Sequence, residues 1–148
     1  DADALNLMAQ HASSFPLANT VITPHPGEAA RLLNCRASDI EENRFHAVKQ
    51  LARSYTTTCV LKGAGSLIAD NSQTCTYSDA STALAVGGSG DVLTGIIAAL
   101  IAQGLTPQQA ACLGVTLHAK AGDIAAEREG ERGMLASDLF AIVRELIN

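Results

Sequence analysis

The sequence has no tryptophan, and aromatic residues make up only 3% of its 148 positions. Any core must therefore be filled mainly by Ala, Leu, Ile and Val. It also lacks a CxxC pair. The four cysteines, Cys35, Cys59, Cys75 and Cys112, are widely spaced, which argues against a zinc or dithiol redox site. A chain this rich in apolar residues has no need of a disulfide framework, so reduced thiols in a cytoplasmic setting are expected. No signal peptide opens the sequence, and no repeat or low-complexity linker interrupts it. The longest apolar run, Val92 to Ala102, contains Thr94 and Gly95 and is too short to cross a bilayer. The net charge is -5, which weighs against nucleic acid or an anionic membrane as partner and leaves small nucleotides open.

Two familiar phosphate-binding motifs are also missing. There is no G-x-x-x-x-G-K-[ST], so the chain is not a P-loop protein. Gly88-Ser89-Gly90 begins a G-x-G-x-x-G, but the last position is Leu93. A helix, not a strand, is expected to follow the next one, so the βαβ context of a Rossmann dinucleotide site fails as well.

What remains is a 47% hydrophobic chain, sized for a single domain over residues 1–148. Ala4, Leu5, Met8 and Ala12 fall near helical spacing after an opening turn. Asn19 to Thr23 is a β-branched run that reads as a buried strand. A Pro-rich turn then releases a short helix from about Gly27. Ser38-Asp39-Ile40-Glu41 has the form of a capping box. The helix after it, to about Ser54, is expected to gather Ile40, Phe45, Val48 and Leu51 on one side. TTCVLK, SLIAD and TCTYSD read as strands, the first two joined by a hairpin turn at Gly63-Ala64-Gly65. A long helix is expected from the Gly88 to Gly90 stretch to about Gln103, where Gly104 stops it. A second runs from Thr106-Pro107 to about Glu129, and a last amphipathic helix from about Ser137 to Ile147. Helices mixed with about four strands predict an α/β layered fold.

Three stretches carry chemistry. In Gly87-Gly88-Ser89-Gly90-Asp91 the glycines precede a helix whose first amides are unpaired and whose amino terminus is partially positive. A phosphate could approach that backbone closely. Asp91, in the first turn, could take a proton from a hydroxyl attacking that phosphate; alternatively it is an ordinary helix-start residue in a glycine-rich turn. Lys62-Gly63-Ala64-Gly65-Ser66 places a cation, small residues and a hydroxyl at a strand end, which suits a phosphate or ribose; a plain hairpin with a solvated lysine fits too. In Pro24-His25-Pro26-Gly27-Glu28 two prolines stiffen the loop. His25 could bond a substrate and Glu28 could order Mg²⁺ or its water, or the segment is a turn that starts a helix. His11, His46 and His118 have no partners at metal spacing and read as structural or surface residues. Asp123 reads as a surface charge on a long helix, and the Glu127 to Arg132 run as a solvated helix end.

Taken in order, DADALN, TPHPGEAARLL, VLKGAGS, GGSGDVLTGIIAAL, LHAKAGD and GMLASDL closely resemble the nucleotide-dependent NAD(P)H-hydrate dehydratases of the ribokinase-like superfamily. The resemblance covers almost the whole chain. It implies a metabolite-repair lyase that restores hydrated NADH and NADPH (NADHX and NADPHX) at the expense of ADP, giving AMP and phosphate, or of ATP. The hydroxyl of the hydrate would be phosphorylated, and phosphate would leave as the double bond forms. Carried over by position, His25 and Asp91 would contact the hydrate, with Asp91 as base. Lys62, Gly63, Ala64, Gly65 and Ser66, with Gly88, Ser89 and Gly90, would hold the nucleotide, and Glu28 would help arrange Mg²⁺. Ser66 and Ser89 stand where Thr is commoner and keep the hydroxyl.

The family domain is roughly twice this length. A polar D-x-D turn in such folds follows a strand, and here it begins at Asp1. The chain is therefore expected to be the carboxyl-terminal part of a ribokinase-like domain that needs its amino-terminal half, and to be weakly active or inactive alone. Assembly into homo-oligomers is common in the family. Two other readings share these motifs. One is a small-molecule kinase of the same superfamily, for a sugar or vitamin precursor; many of those would carry Asn-x-x-Glu where this chain has PHPGE. The other is a nucleotide-binding module without turnover.

Overall fold

A computed structural model describes residues 1–11, 19–72, 75–78 and 82–148. Its centre is a four-stranded sheet of β1 (Val21–Ile22), β2 (Thr58–Leu61), β3 (Ser66–Ala69) and β4 (Cys75–Ser78), in that spatial order. β1 and β2 are parallel, and the β2–β3 and β3–β4 pairs are antiparallel, with Leu61 opposite Leu67 at the hairpin expected around Gly63 to Gly65. The strand expected from Asn19 to Thr23 contracts to two ladder residues. Ala12 of the first helix, and the outer residues Thr74 and Asp79 of the third strand run, lie outside the described residues.

β2 and β3 are buried along their full length because successive side chains serve opposite faces. Cys59 and Leu61 on β2, with Leu67 and Ala69 on β3, meet α1 (Ala2–Gln10), α2 (Pro26–Leu33) and α4 (Arg44–Tyr55) through Leu5, Ala29, Val48 and Leu51. Val60 and Ile68 point the other way, onto α5 (Ser89–Ala102) and α6 (Pro107–Glu129) through Leu93, Ile97, Ala111 and Val115. A third cluster joins α6 to α7 (Asp138–Ile147) through Ala121, Ala125, Leu139 and Ile142. The result is the expected α/β layering, helices on both faces of a sheet. Burial pushes the Cys59 thiol far above its ordinary range, and Cys35, Cys59 and Cys112 are free thiols. No described helix is long and apolar enough to cross a membrane.

Caps explain most helix starts. Thr106 and Gln109 form the expected capping box at α6, with Thr106 accepting from the Gln109 amide at 3.3 Å. The box expected at Ser38 does not form. Instead Arg36 is the N-cap of α3 (Ala37–Glu42), and Asp39 accepts from the Arg36 amide at 3.1 Å while also binding its guanidinium. The single helix expected to Ser54 is in fact two, α3 and α4. They part at Asn43, whose non-helical backbone (φ -142, ψ 64) lets its side chain accept from the His46 amide at 3.2 Å and cap α4. The break rotates the apolar stripe. Ile40, Val48 and Leu51 are buried as expected, but Phe45 turns outward with 55% of its surface exposed.

α5 and α6 pack closely because α6 carries Gly114 at the contact. A Cβ there would lie 2.7 Å from Cγ1 of buried Ile97. Gly114→Val is therefore expected to lower unfolding free energy by about 1–3 kcal/mol through overpacking, as read by urea denaturation.

Candidate active site

Three segments converge at the carboxyl ends of β1 and β2. The Lys62 amide donates to the Pro24 carbonyl at 2.8 Å and so ties the end of β2 to the loop after β1. That loop is held by the start of α2. The His25 amide donates to Glu28 Oε2 at 2.8 Å, and His25 Nδ1 accepts from the Gly27 amide at 3.0 Å, with Pro26 in the first helical position. Glu28 is thereby buried while His25 stays half exposed.

α5 begins without a side-chain cap. Gly88 occupies the left-handed region at φ +86, which a side chain rarely adopts. The Ser89 amide reaches the Val86 carbonyl at 3.3 Å. Among the described residues, nothing accepts from the amides of Gly90 and Asp91. This is the uncapped, partially positive helix end that an anion would meet.

Between these segments lies a cleft of about 540 Å³. His25, Lys62, Gly63, Ala64 and Ser66 line it together with Ser89, Gly90, Leu93 and His118. Seven of the residues expected to bind ligand thus share one cleft, although they come from segments up to 65 positions apart in the chain. The remaining four stand elsewhere. Gly65 is buried beneath the turn. Glu28 faces its own helix start. Gly88 and Asp91 line an adjoining apolar groove with Val92, Ile96 and Phe140, and Asp91 is exposed there. The negative charges of Glu28 and Asp91 still reach Lys62. Burial lowers the Lys62 pKa, and those two charges oppose that shift.

Several residues of this region were not singled out in the sequence. Lys62 Nζ lies 2.6 Å from Asp1 Oδ1, and Asp1 Oδ2 accepts from the Thr94 hydroxyl at 3.0 Å. Thr94 in turn lies 3.2 Å from the Thr23 hydroxyl. His118, 29 positions from Ser89, reaches back to it. Its Nε2 is 3.0 Å from the Ser89 carbonyl and 3.1 Å from the Ser89 hydroxyl. A carbonyl can only accept, so Nε2 carries the proton. LHAKAGD, which contains His118, was part of the resemblance, but no local pattern pointed His118 at Ser89.

A family model described as NAD(P)H-hydrate dehydratase matches residues 1–145. The chain belongs to that family. The Escherichia coli (strain K12) bifunctional NAD(P)H-hydrate repair enzyme Nnr is 50% identical over 149 residues, covering all of this chain and 28% of that protein. The ADP-dependent (S)-NAD(P)H-hydrate dehydratase of Neisseria meningitidis serogroup B is 40% identical over 154 residues, covering all of this chain and 52% of that protein. The Bacillus subtilis ADP/ATP-dependent NAD(P)H-hydrate dehydratase, co-crystallized with ATP/Mg²⁺, superposes with a TM-score of 0.81 at 29% identity, over 86% of this chain and 47% of that one. The chain therefore spans from under a third to about half the length of these relatives. Its architecture is that of the ribokinase-like fold.

In this dehydratase-family chain His118 is buried, and burial, with the positive charge of Lys62, lowers its pKa below the ordinary 6.5 against the pull of the Ser89 carbonyl. The unfolded chain therefore takes up this proton at higher pH than the folded one. Stability from this group is complete above about pH 6.5 and declines as the pH falls below it. The melting temperature is expected to drop on acidification from about pH 7 to pH 5, and to drop less in His118→Gln, which cannot titrate. Equal slopes for the two proteins would contradict the buried neutral imidazole.

Proposed function

We propose that this chain carries the nucleotide-binding part of a site that dehydrates NADHX and NADPHX to NADH and NADPH, with ADP as phosphoryl donor and AMP and phosphate as products. The observation that carries the reading is the meeting of the Lys62 turn and the uncapped start of α5 in one cleft. A lysine and free helix-end amides are the groups that bind and polarise a transferring phosphoryl group. The Neisseria relative is an ADP-dependent dehydratase, and the Bacillus enzyme was co-crystallized with ATP/Mg²⁺.

In this reading Lys62, Gly63, Ala64, Gly65 and Ser66, with Gly88, Ser89 and Gly90, hold the nucleotide. The phosphate chain points at the start of α5. Asp91 sits in the same helical turn as Gly90 but opens onto the neighbouring groove. The nicotinamide hydrate would approach from that side, with His25 as a further contact. Asp91 takes the proton of the hydrate hydroxyl while the hydroxyl oxygen forms its bond to the terminal phosphorus, and AMP leaves. Cleavage of the C–O bond then releases phosphate with loss of a ring proton, and the double bond is restored.

Mg²⁺ would neutralise phosphate charge in such a transfer. Among the described residues there is no cluster of three metal-ligating side chains. Glu28 is the carboxylate that would hold one of the waters of such an ion.

The experiment uses the full-length protein, mixed with hydrated NADPH and either ADP or ATP. Recovery of NADPH absorbance with one nucleotide is expected. Asp91→Asn is expected to lower kcat by roughly 10²–10⁴-fold, the usual contribution of a general base, while leaving nucleotide affinity largely intact. A stable phosphorylated product from a small alcohol, with no response to the hydrate, would instead indicate a kinase. Lys62→Met should raise the nucleotide KM more than it lowers kcat, which steady-state kinetics would resolve.

A further inference from the structure

Arg44 is the first residue of α4, where a cation is opposed by the helix dipole. Its guanidinium nonetheless turns away from solvent and into the turn between β2 and β3, some twenty residues further along the chain. Nη1 donates to the Ala64 carbonyl at 2.9 Å and Nη2 to the Gly65 carbonyl at 2.7 Å, with the carbonyls of Leu61 and Lys62 each 3.4 Å from Nη2. Nε is buried with no partner. The fork is thus placed to suit the turn rather than to satisfy its own donors.

The turn is shaped around it in return. A Cβ on Gly63 would lie 2.6 Å from Nη2, and its φ of +151 is one that a side chain rarely adopts, so a larger residue there would push the guanidinium aside and strain the turn. With its carbonyls gathered on Arg44, the turn presents its other polar groups outward. The amides of Gly63 and Ala64 have no acceptor among the described residues, and both residues are exposed and line the cleft. Consecutive free amides of this kind form a concave anion-binding surface.

We propose that Arg44 is a positioning residue for the nucleotide: it clamps the carbonyls of the Lys62 to Ser66 turn from behind, and so holds the turn's amides ready for phosphate oxygens. This rests on the nucleotide reading of the cleft given above. The guanidinium does not line the cleft, so its contribution is made through the turn. A lysine could keep the charge but could not hold two carbonyls at once with a planar fork.

The test compares full-length wild type with Arg44→Lys, Arg44→Met and Gly63→Ala. Calorimetry would give the Kd for ADP and for ATP, and amide hydrogen exchange would report on residues 62–66. Arg44→Lys is expected to raise the nucleotide Kd by about tenfold or more and to speed exchange in the turn, with the melting temperature little changed. Gly63→Ala, which displaces the guanidinium and also strains the turn at φ +151, should raise the Kd and speed exchange in the turn with some loss of melting temperature, so Arg44→Lys is the deciding variant. Wild-type affinity and exchange in Arg44→Lys would overturn the clamp and leave the nucleotide reading standing. An affinity loss matched by a lower melting temperature, with no local change in the turn, would also overturn it. A wild-type protein that binds neither ADP nor ATP would remove the nucleotide reading and the clamp together.

Discussion

The contact between Lys62 Nζ and Asp1 Oδ1, at 2.6 Å, is where the ends of four elements meet. Asp1 starts α1, Lys62 ends β2, and Thr94 of α5 joins the same carboxylate, with Thr23 at the end of β1 behind it. The two charged side chains keep only 19% and 11% of their exposure. The pair is partly withdrawn from water, so it is screened less than a surface pair. The contact therefore fixes the direction of a lysine that would otherwise have four freely rotating bonds. Gly90 completes the arrangement, since a Cβ there would lie 2.9 Å from Nζ. A glycine at the start of α5 and a lysine at the end of β2 are thus fitted to each other.

The same principle governs the rest of the cleft: flexible or conformationally unusual groups face it, and each is held from behind. The β2–β3 turn rests on Arg44, the start of α5 on His118, and the Pro-rich loop on the capping carboxylate of Glu28. The two-sided sheet makes this possible. Because β2 and β3 are buried on both faces, their ends are rigid, and the turn that joins them has a defined position relative to helices from both layers. Asp91 is the exception. It stands on α5 and opens, with Gly88, toward the groove with Phe140 and Val92 instead of the cleft, while its neighbours Ser89 and Gly90 line the cleft itself.

Much of the fold was legible in the sequence because the signals were local. Short unbroken apolar runs in TTCVLK and SLIAD, glycines at the hairpin, Thr106 with Pro107 and Gln109, and Gly104 after α5 each act within a few residues. The misread stretch, Ser38 to Ser54, shows the limit. Ser38 and Glu41 match a capping box in letters, but Arg36 and Asp39 form a charge-assisted cap two residues earlier, and Asn43 captures the His46 amide and starts a new helix. The two observed caps leave Ile40 and Val48 both buried in the core. One continuous helix would carry Phe45 on the buried side, and the break at Asn43 turns it outward.

By itself the sequence determined which segments could meet phosphate: glycines before a helix, a lysine at a strand end, prolines around His25. Those properties belong to single residues and their immediate neighbours. Its ordered motifs also placed it in its family. The tertiary structure alone decided which of these segments share a cleft, that Asp91 stands beside it and not within it, and that Arg44, Asp1, Thr94 and His118 support it. These supports act across separations of 20 to 93 positions, and hydrogen bonds and ion pairs of that kind leave no local pattern. They exist only once the sheet has brought the ends of its strands and helices together.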